Sequence, residues 1–181
     1  ISDFEASVEQ LVAELPNVSR VNLVVAWFGS DLRCGECLVR PGVEIADKTT
    51  KPWSWSVAGI SRGDAYVVSD TDGRPNFGGT PADTSVVQAV ASLKARGLHV
   101  TLYPFLLMDI PAGNGLADPY GGDEQAAFPW RGRVTCEAGD VGAQVDAFFA
   151  QYRAMVLHYA GLVAGAGADG VLLGSELVGL T

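Results

Sequence analysis

The stretch Asp169-Gly-Val-Leu-Leu-Gly-Ser-Glu-Leu-Val-Gly-Leu-Thr181 sets the reading of the whole chain. Gly161, Gly165 and Gly167 close a helical pattern just before it. Val171, Leu172 and Leu173 then form a short apolar run, and Gly174 and Ser175 precede Glu176. An apolar run that follows a helix and stops at small residues reads as a buried parallel strand. In α/β barrels the C-terminal ends of the strands carry the chemistry, so a lone carboxylate there is a catalytic candidate. The alternative is a solvated Glu that opens the next loop.

Working back from this stretch, residues 141–164 trace a long helix whose buried stripe is Val145, Phe148, Phe149, Tyr152, Met155, Val156, Tyr159 and Leu162. Residues 110–140 form a long loop carrying Tyr120, Phe128, Trp130, Arg131 and Arg133, and the two arginines are expected to pair with Asp118, Asp123 and Glu124. Residues 99–109 (HVTLYPFLLMD) read as a strand, with local distortion expected at Pro104, which cannot donate to a sheet ladder. A helix with apolar face Val86, Val87, Val90, Ala91 and Leu93 precedes it, capped by Asp83 or Thr84 and ended by Gly97. Residues 65–69 (AYVVS) read as a further strand. Residues 30–64 have no clean period and form a long excursion with Trp53 and Trp55, and loops of that length are often functional.

Residues 21–28 (VNLVVAWF) are nearly continuous apolar and β-branched, the mark of a strand covered on both faces. Before them, Phe4, Val8, Leu11, Val12 and Leu15 keep helical spacing behind a Ser2 or Asp3 cap. The resulting order is helix, strand, long loop, strand, helix, strand, helix, strand. It predicts a parallel sheet with right-handed crossovers. Gly29-Ser-Asp-Leu-Arg33 is not G-x-G-x-x-G, which argues against a doubly wound dinucleotide fold. Four strands make half a barrel, since a full one needs roughly 250 residues. Residues 1–181 therefore read as one α/β domain, the N-terminal half of a TIM (β/α)8 barrel of about four βα units, truncated after strand four.

The composition fits a globular domain, 48% hydrophobic and 18% charged, with 22 glycines. A formal net charge of -9 argues against a nucleic-acid partner, whose phosphates require clustered Lys and Arg, and leaves an uncharged polysaccharide open. No apolar run is long enough to span a membrane. Cys34 and Cys37 form one C-x-x-C and Cys136 stands far away. A structural zinc normally takes four Cys or His ligands, so no metal and no cofactor is expected. Loop thiols, or one disulfide with a cysteine left over, are the readings left open.

Several strings resemble one family across nearly the whole length: VVAWFGSDLRCGECLVRPGVE (24–44), GGTPADTSVV (78–87), VTLYPFLLMDIPAGNGLADPYGG (100–122), FPWRGRVTC (128–136) and GSELVGLT (174–181). They are similar to the TIM-barrel-like domain of the large tail, or host specificity, protein of gene transfer agents and related alphaproteobacterial phages. That barrel is in turn similar to the glycoside hydrolases whose acid/base Glu ends strand four, and the mannanase-like members carry a G-[ST]-E-L string there. The resemblance implies that Glu176 is the acid/base of a retaining glycosidase, in which two carboxyl groups stand about 5–5.5 Å apart. It implies that the second carboxylate comes from strand seven. Many members have Asn before the acid/base, where this chain has Ser175.

Trp27, Tyr103, Asp109 and Trp130 are the further substrate-binding candidates, at strand ends or in the loops above them, with simple core packing the alternative for Trp27. The partners implied are a cell-envelope polysaccharide and other tail or baseplate proteins, and the location is the tail of a phage-like particle. The rival expectation is a non-catalytic structural or receptor-binding tail module that keeps only the scaffold. A free-standing metabolic glycosidase is a third.

Overall fold

The computed structural model describes residues 2–180. In chain order its elements are α1 (Asp3–Glu14), β1 (Arg20–Gly29) and seven short strands. These are β2 (Val39–Arg40), β3 (Gly42–Val43), β4 (Ser56–Val57), β5 (Ile60–Ser61), β6 (Tyr66–Val67), β7 (Asp70–Thr71) and β8 (Arg74–Pro75). Then follow α2 (Asp83–Ala95), β9 (His99–Met108), α3 (Val141–Ala166) and β10 (Gly170–Val171), with 3-10 turns at Arg131–Arg133 and Val178–Leu180.

The helices start and stop for local reasons. Ser2 Oγ accepts the Glu5 N–H at 3.3 Å and caps α1. Asp140 does the same for α3, accepting from Ala143 N at 3.0 Å, and Gly167 closes that helix. The cap expected for α2 is not made. Its N-cap is Ala82, and Asp83 lies inside the helix with its carboxylate committed to His158 Nε2 at 2.8 Å and Ala58 N at 3.1 Å.

The main sheet has the order β10-β9-β1-β2. β1 and β9 pair in parallel from Arg20 opposite His99 to Gly29 opposite Met108. β10 adds in parallel beyond β9, and β2 turns back antiparallel onto Phe28 and Gly29. One expectation is corrected here. Residues 65–69 are no strand of this sheet; Tyr66–Val67 pairs with Gly42–Val43 in a separate two-stranded ribbon. The main sheet thus holds three parallel strands among the described residues, not four, and Glu176 follows the third. β9 takes one side of β1 along its whole length and β2 pairs with its C-terminal end, while residues 66–67 pair with Gly42–Val43.

One face of the sheet is packed by the helices. Val100, Leu102, Leu106 and Met108 of β9 meet Val86, Val90 and Leu93 of α2 and Phe148, Met155, Tyr159 and Val163 of α3 in one core. Each such side chain, once buried, contributes about 1.5–3 kcal/mol. On the other face Tyr103, Phe105 and Leu107 stay half-buried and Val24 is 52% exposed. Covering on both faces, expected for residues 21–28, holds only at the C-terminal end, where Phe28 packs on Tyr66 and Phe77. In a closed barrel the remaining strands supply the filling for that face.

Pro104 produces no break in β9, which runs unbroken through it. Its effect falls on the neighbour. Val100 and Leu102 accept from Asp169 N at 2.8 Å and Leu172 N at 2.9 Å on the β10 side. Ladder groups point alternately to the two sides, so the next donor toward β10 would be residue 104, and proline has none. Pairing stops there, and the chain from Gly174 leaves the sheet.

Candidate active site

Six side chains meet where the chain leaves β10. Arg131, in the 3-10 turn, is buried to 6% exposure, and its guanidinium lies 3.7 Å above the Phe105 ring. Its Nη2 reaches Glu176 Oε2 at 2.7 Å, Ser175 Oγ at 3.1 Å and Tyr103 Oη at 3.2 Å, while Nε donates to the Ser175 carbonyl at 3.2 Å. The hydroxyls of Tyr103 and Ser175 share a short hydrogen bond. Trp130 Nε1–H donates to the same Glu176 oxygen at 2.8 Å.

The local backbone permits this. A Cβ on Gly132 would fall 2.4 Å from the Trp130 ring, so only glycine lets the indole fold back over its own turn. A Cβ on Gly174 would fall 2.8 Å from Tyr152 Oη, which ties the first residue of G-S-E-L to α3. Glu176 itself has φ +60°, a left-handed conformation that costs a non-glycine residue about 1–2 kcal/mol. Strain of this kind persists where surrounding contacts over-determine it and clusters at functional sites.

Chemically the site is an exposed carboxylate, held at one oxygen by a buried cation and an indole N–H. Its side chain is 52% exposed and the Trp130 residue 50% exposed. A carboxyl group beside an open aromatic face can meet a sugar ring and its hydroxyls together. A cavity of about 210 Å³ lined by Phe77, Leu107, Phe128, Trp130 and Arg131 opens alongside. A larger groove of about 450 Å³ runs along β1 past Phe4, Leu23, Val25 and Ala89, and Glu176 and Trp130 take no part in lining it.

Of the residues selected from sequence, Tyr103, Trp130, Ser175 and Glu176 come together here. Trp27 and Asp109 lie elsewhere. Trp27 is buried beneath the sheet, donating from Nε1 to Tyr159 Oη of α3 at 3.0 Å, which is the packing alternative. Asp109 directly follows β9 but is 4% exposed, and its oxygens accept from Tyr66 Oη and Ser69 N, both at 2.7 Å, and from Ser69 Oγ. It anchors the loop after β6. Burial, and then the Asp109 carboxylate, raise the Tyr66 phenol, so it stays a donor.

Arg131 is the site residue that sequence reasoning assigned elsewhere. Asp118 and Glu124 are otherwise engaged: Asp118 accepts from Tyr120 N, and Glu124 from Gly113 N and Gly115 N. Arg133 lies over the Tyr120 ring at 4.6 Å. Trp55 pins its loop by donating to the Thr80 carbonyl at 2.8 Å, whereas Trp53 is 59% exposed. Among the described residues, no group of three or more His, Cys, Asp or Glu is placed to hold a metal ion, and no helix is long and apolar enough to cross a membrane.

No family model and no curated protein matches the chain. A solved structure that does match is a complex of a GH113 beta-1,4-mannanase, with a TM-score of 0.54 at 14% identity. The match covers 98% of this chain and 41% of the mannanase chain, so this chain spans less than half the length of that relative. Likeness at that identity speaks to fold alone. The curled α/β sheet, with helices on one face and an open second face, is a partial TIM barrel.

Proposed function

We propose that this chain is the glycoside-hydrolase-like barrel segment of a phage or gene transfer agent tail protein. It engages a cell-envelope polysaccharide and, within the complete barrel, hydrolyses it by a retaining mechanism. The observation that carries the reading is Glu176 of the G-S-E-L string. It stands in a strained conformation beyond a parallel strand, beside the exposed indole of Trp130 and the buried Arg131. Glu176 is assigned as acid/base, Trp130 as the stacking platform, and Tyr103 and Ser175 as hydroxyls for the sugar. The second carboxylate belongs to another strand of the barrel, about 5–5.5 Å from Glu176. The fold neighbour is named as a beta-1,4-mannanase, which supports a polysaccharide as the ligand class. Other tail or baseplate proteins are the assembly partners, and the particle tail is the location.

A second reading has its own support. The Glu176 oxygen is already occupied by Arg131 and Trp130, as suits a scaffold carboxylate in a non-catalytic receptor-binding module. Glu176→Gln in the parent protein separates the two. Gln keeps size and hydrogen bonding but gives no proton to a leaving oxygen, and general acid catalysis is worth roughly 10²–10⁴-fold. The enzyme reading expects turnover of envelope polysaccharide to fall by that factor, with melting temperature and glycan binding retained. Unchanged turnover in the variant removes Glu176 from the acid role. Glycan binding with no turnover in the unmodified protein establishes the module instead.

A further inference from the structure

The C-x-x-C invites pairing of Cys34 with Cys37, but the fold gives Cys34 a different partner. The two long loops are zipped together at this point. Thr135 N donates to the Leu32 carbonyl and Cys34 N to the Thr135 carbonyl, both at 2.8 Å, around a parallel bridge between Arg33 and Thr135. Gln125 locks the same seam from the side, accepting from Leu32 N at 2.8 Å and donating to Asp31 Oδ1 at 2.7 Å. The seam brings Cys34 Sγ to 2.8 Å from Cys136 Sγ, across 102 positions of sequence. Cys37 faces away, buried, with its sulphur weakly directed at the Leu38 carbonyl at 3.9 Å and near Met108 around Gly29.

We infer that Cys34 and Cys136 are a disulfide-forming pair that staples the loop carrying Trp130 and Arg131 to the segment after β1, with Cys37 remaining a thiol. The pair is already in contact, and a bond of about 2.05 Å needs only a small further approach of the sulphurs. The accessible partner starts the reaction: Cys136 is half-buried and Cys34 fully buried. The oxidant is a small-molecule disulfide such as glutathione disulfide. The Cys136 thiolate attacks one of its sulphurs, the oxidant's S–S bond breaks, and one glutathione thiolate leaves. The Cys34 sulphur then attacks Cys136 Sγ and expels the second glutathione. Two S–H bonds and one S–S bond break, one protein S–S bond forms, and two electrons and two protons end on the two glutathiones. Burial, then the adjoining Cys136 thiol, push the Cys34 thiol up to about 12, so Cys34 alone is inert and reacts only through its neighbour.

The staple bears on the site because Arg131, which holds Glu176 and Ser175, lies within the loop that Cys136 closes. Closing a loop of that length restricts the unfolded chain strongly, and an apparent rise in melting temperature of roughly 10 °C is expected on oxidation. The test is to equilibrate the purified protein in glutathione buffers of increasing oxidised fraction, alkylate it, and map tryptic peptides by fragmentation. Cleavage after Arg33 and Arg133 releases peptides that begin at Cys34 and Val134. The expected product joins these two through Cys34 and Cys136, with Cys37 alkylated. It should survive Cys37→Ser and vanish in Cys34→Ser and Cys136→Ser. A link of Cys34 to Cys37, a link of Cys37 to Cys136, or three alkylated thiols at the most oxidising poise would each overturn the assignment. Trypsin cleavage within residues 110–140 should slow in the oxidised protein. Equal rates in both redox states would remove the stapling role even if the bond forms.

Discussion

Replacing Arg131 by Ala tests whether the site is held from beneath. The side chain makes four polar contacts and one ring contact, and these differ in worth. The ion pair with Glu176 is shorter than any other contact of the guanidinium, yet half of that carboxylate is in water, so its loss costs well under 1 kcal/mol after screening. Tyr103 and Ser175 keep each other as partners when the guanidinium goes. The larger losses are the Ser175 carbonyl's charged donor, about 1–2 kcal/mol, and the cation over Phe105, about 1 kcal/mol. The cavity left by a 6%-exposed side chain adds a similar amount. We expect a destabilisation of about 2–4 kcal/mol and a fall in melting temperature of roughly 5–15 °C. Arg131→Lys keeps the charge but not the planar stack, and should lose about half as much. Calorimetry and urea titration on the same samples measure both. If the Ala variant melts within about 1 °C of the unmodified protein, Arg131 is not the support described here.

Trp27→Phe should cost about 1–3 kcal/mol, because the Tyr159 hydroxyl is left without its donor in the core. Adding Tyr159→Phe should recover part of that loss, and strict additivity in urea unfolding would refute the coupling. Asp31 gives a pH signature. Burial opposes its charge, but hydrogen bonds from Arg33 and Gln125 outweigh burial and hold the carboxyl below the usual carboxylate range. Its contribution is therefore present above its unfolded value of about 3.9 and is lost as pH falls through the lower folded value. Urea midpoints measured from about pH 7 to about pH 2 should drop less steeply in Asp31→Asn, and parallel curves would count against the network.

The parts of the fold that were legible in sequence are those with long, uniform patterns. β1, β9, α1, α2 and α3 each carry enough apolar residues at one period to fix their type. Residues 65–69 look like any short strand, and nothing local reveals that Gly42 and Val43 are their partners. The site divides the same way. Glu176, Ser175, Tyr103 and Trp130 sit near strand ends that sequence can locate. Sequence alone pairs Arg131 with acidic neighbours in its own loop, because proximity along the chain is all a sequence offers. Its real partners come from β9 and from the segment beyond α3. Trp27 takes the packing alternative, and Asp109, at its expected strand end, is spent on the loop after β6, for a related reason. A strand's period tells which residues share a face but not which face the helices cover, nor that Ser69 and Tyr66 reach Asp109 first.

The imino nitrogen of Pro104 also bears on how the site can change. It ends the β9–β10 ladder, so the position of Glu176 is measured from a residue on the neighbouring strand rather than from its own. The stretch from Leu173 to Ser175, outside the strand ladder, then acts as a tether between that stop and the carboxylate. One residue added to the tether would swing Glu176 out of reach of both Arg131 and Trp130. The same residue added in the turn between α3 and Asp169 would be taken up before the ladder begins, because Asp169 resets the register through its paired bonds to Val100. Changes of length are therefore tolerated on one side of the strand and not on the other. The residue that enforces this asymmetry never touches the carboxylate it positions.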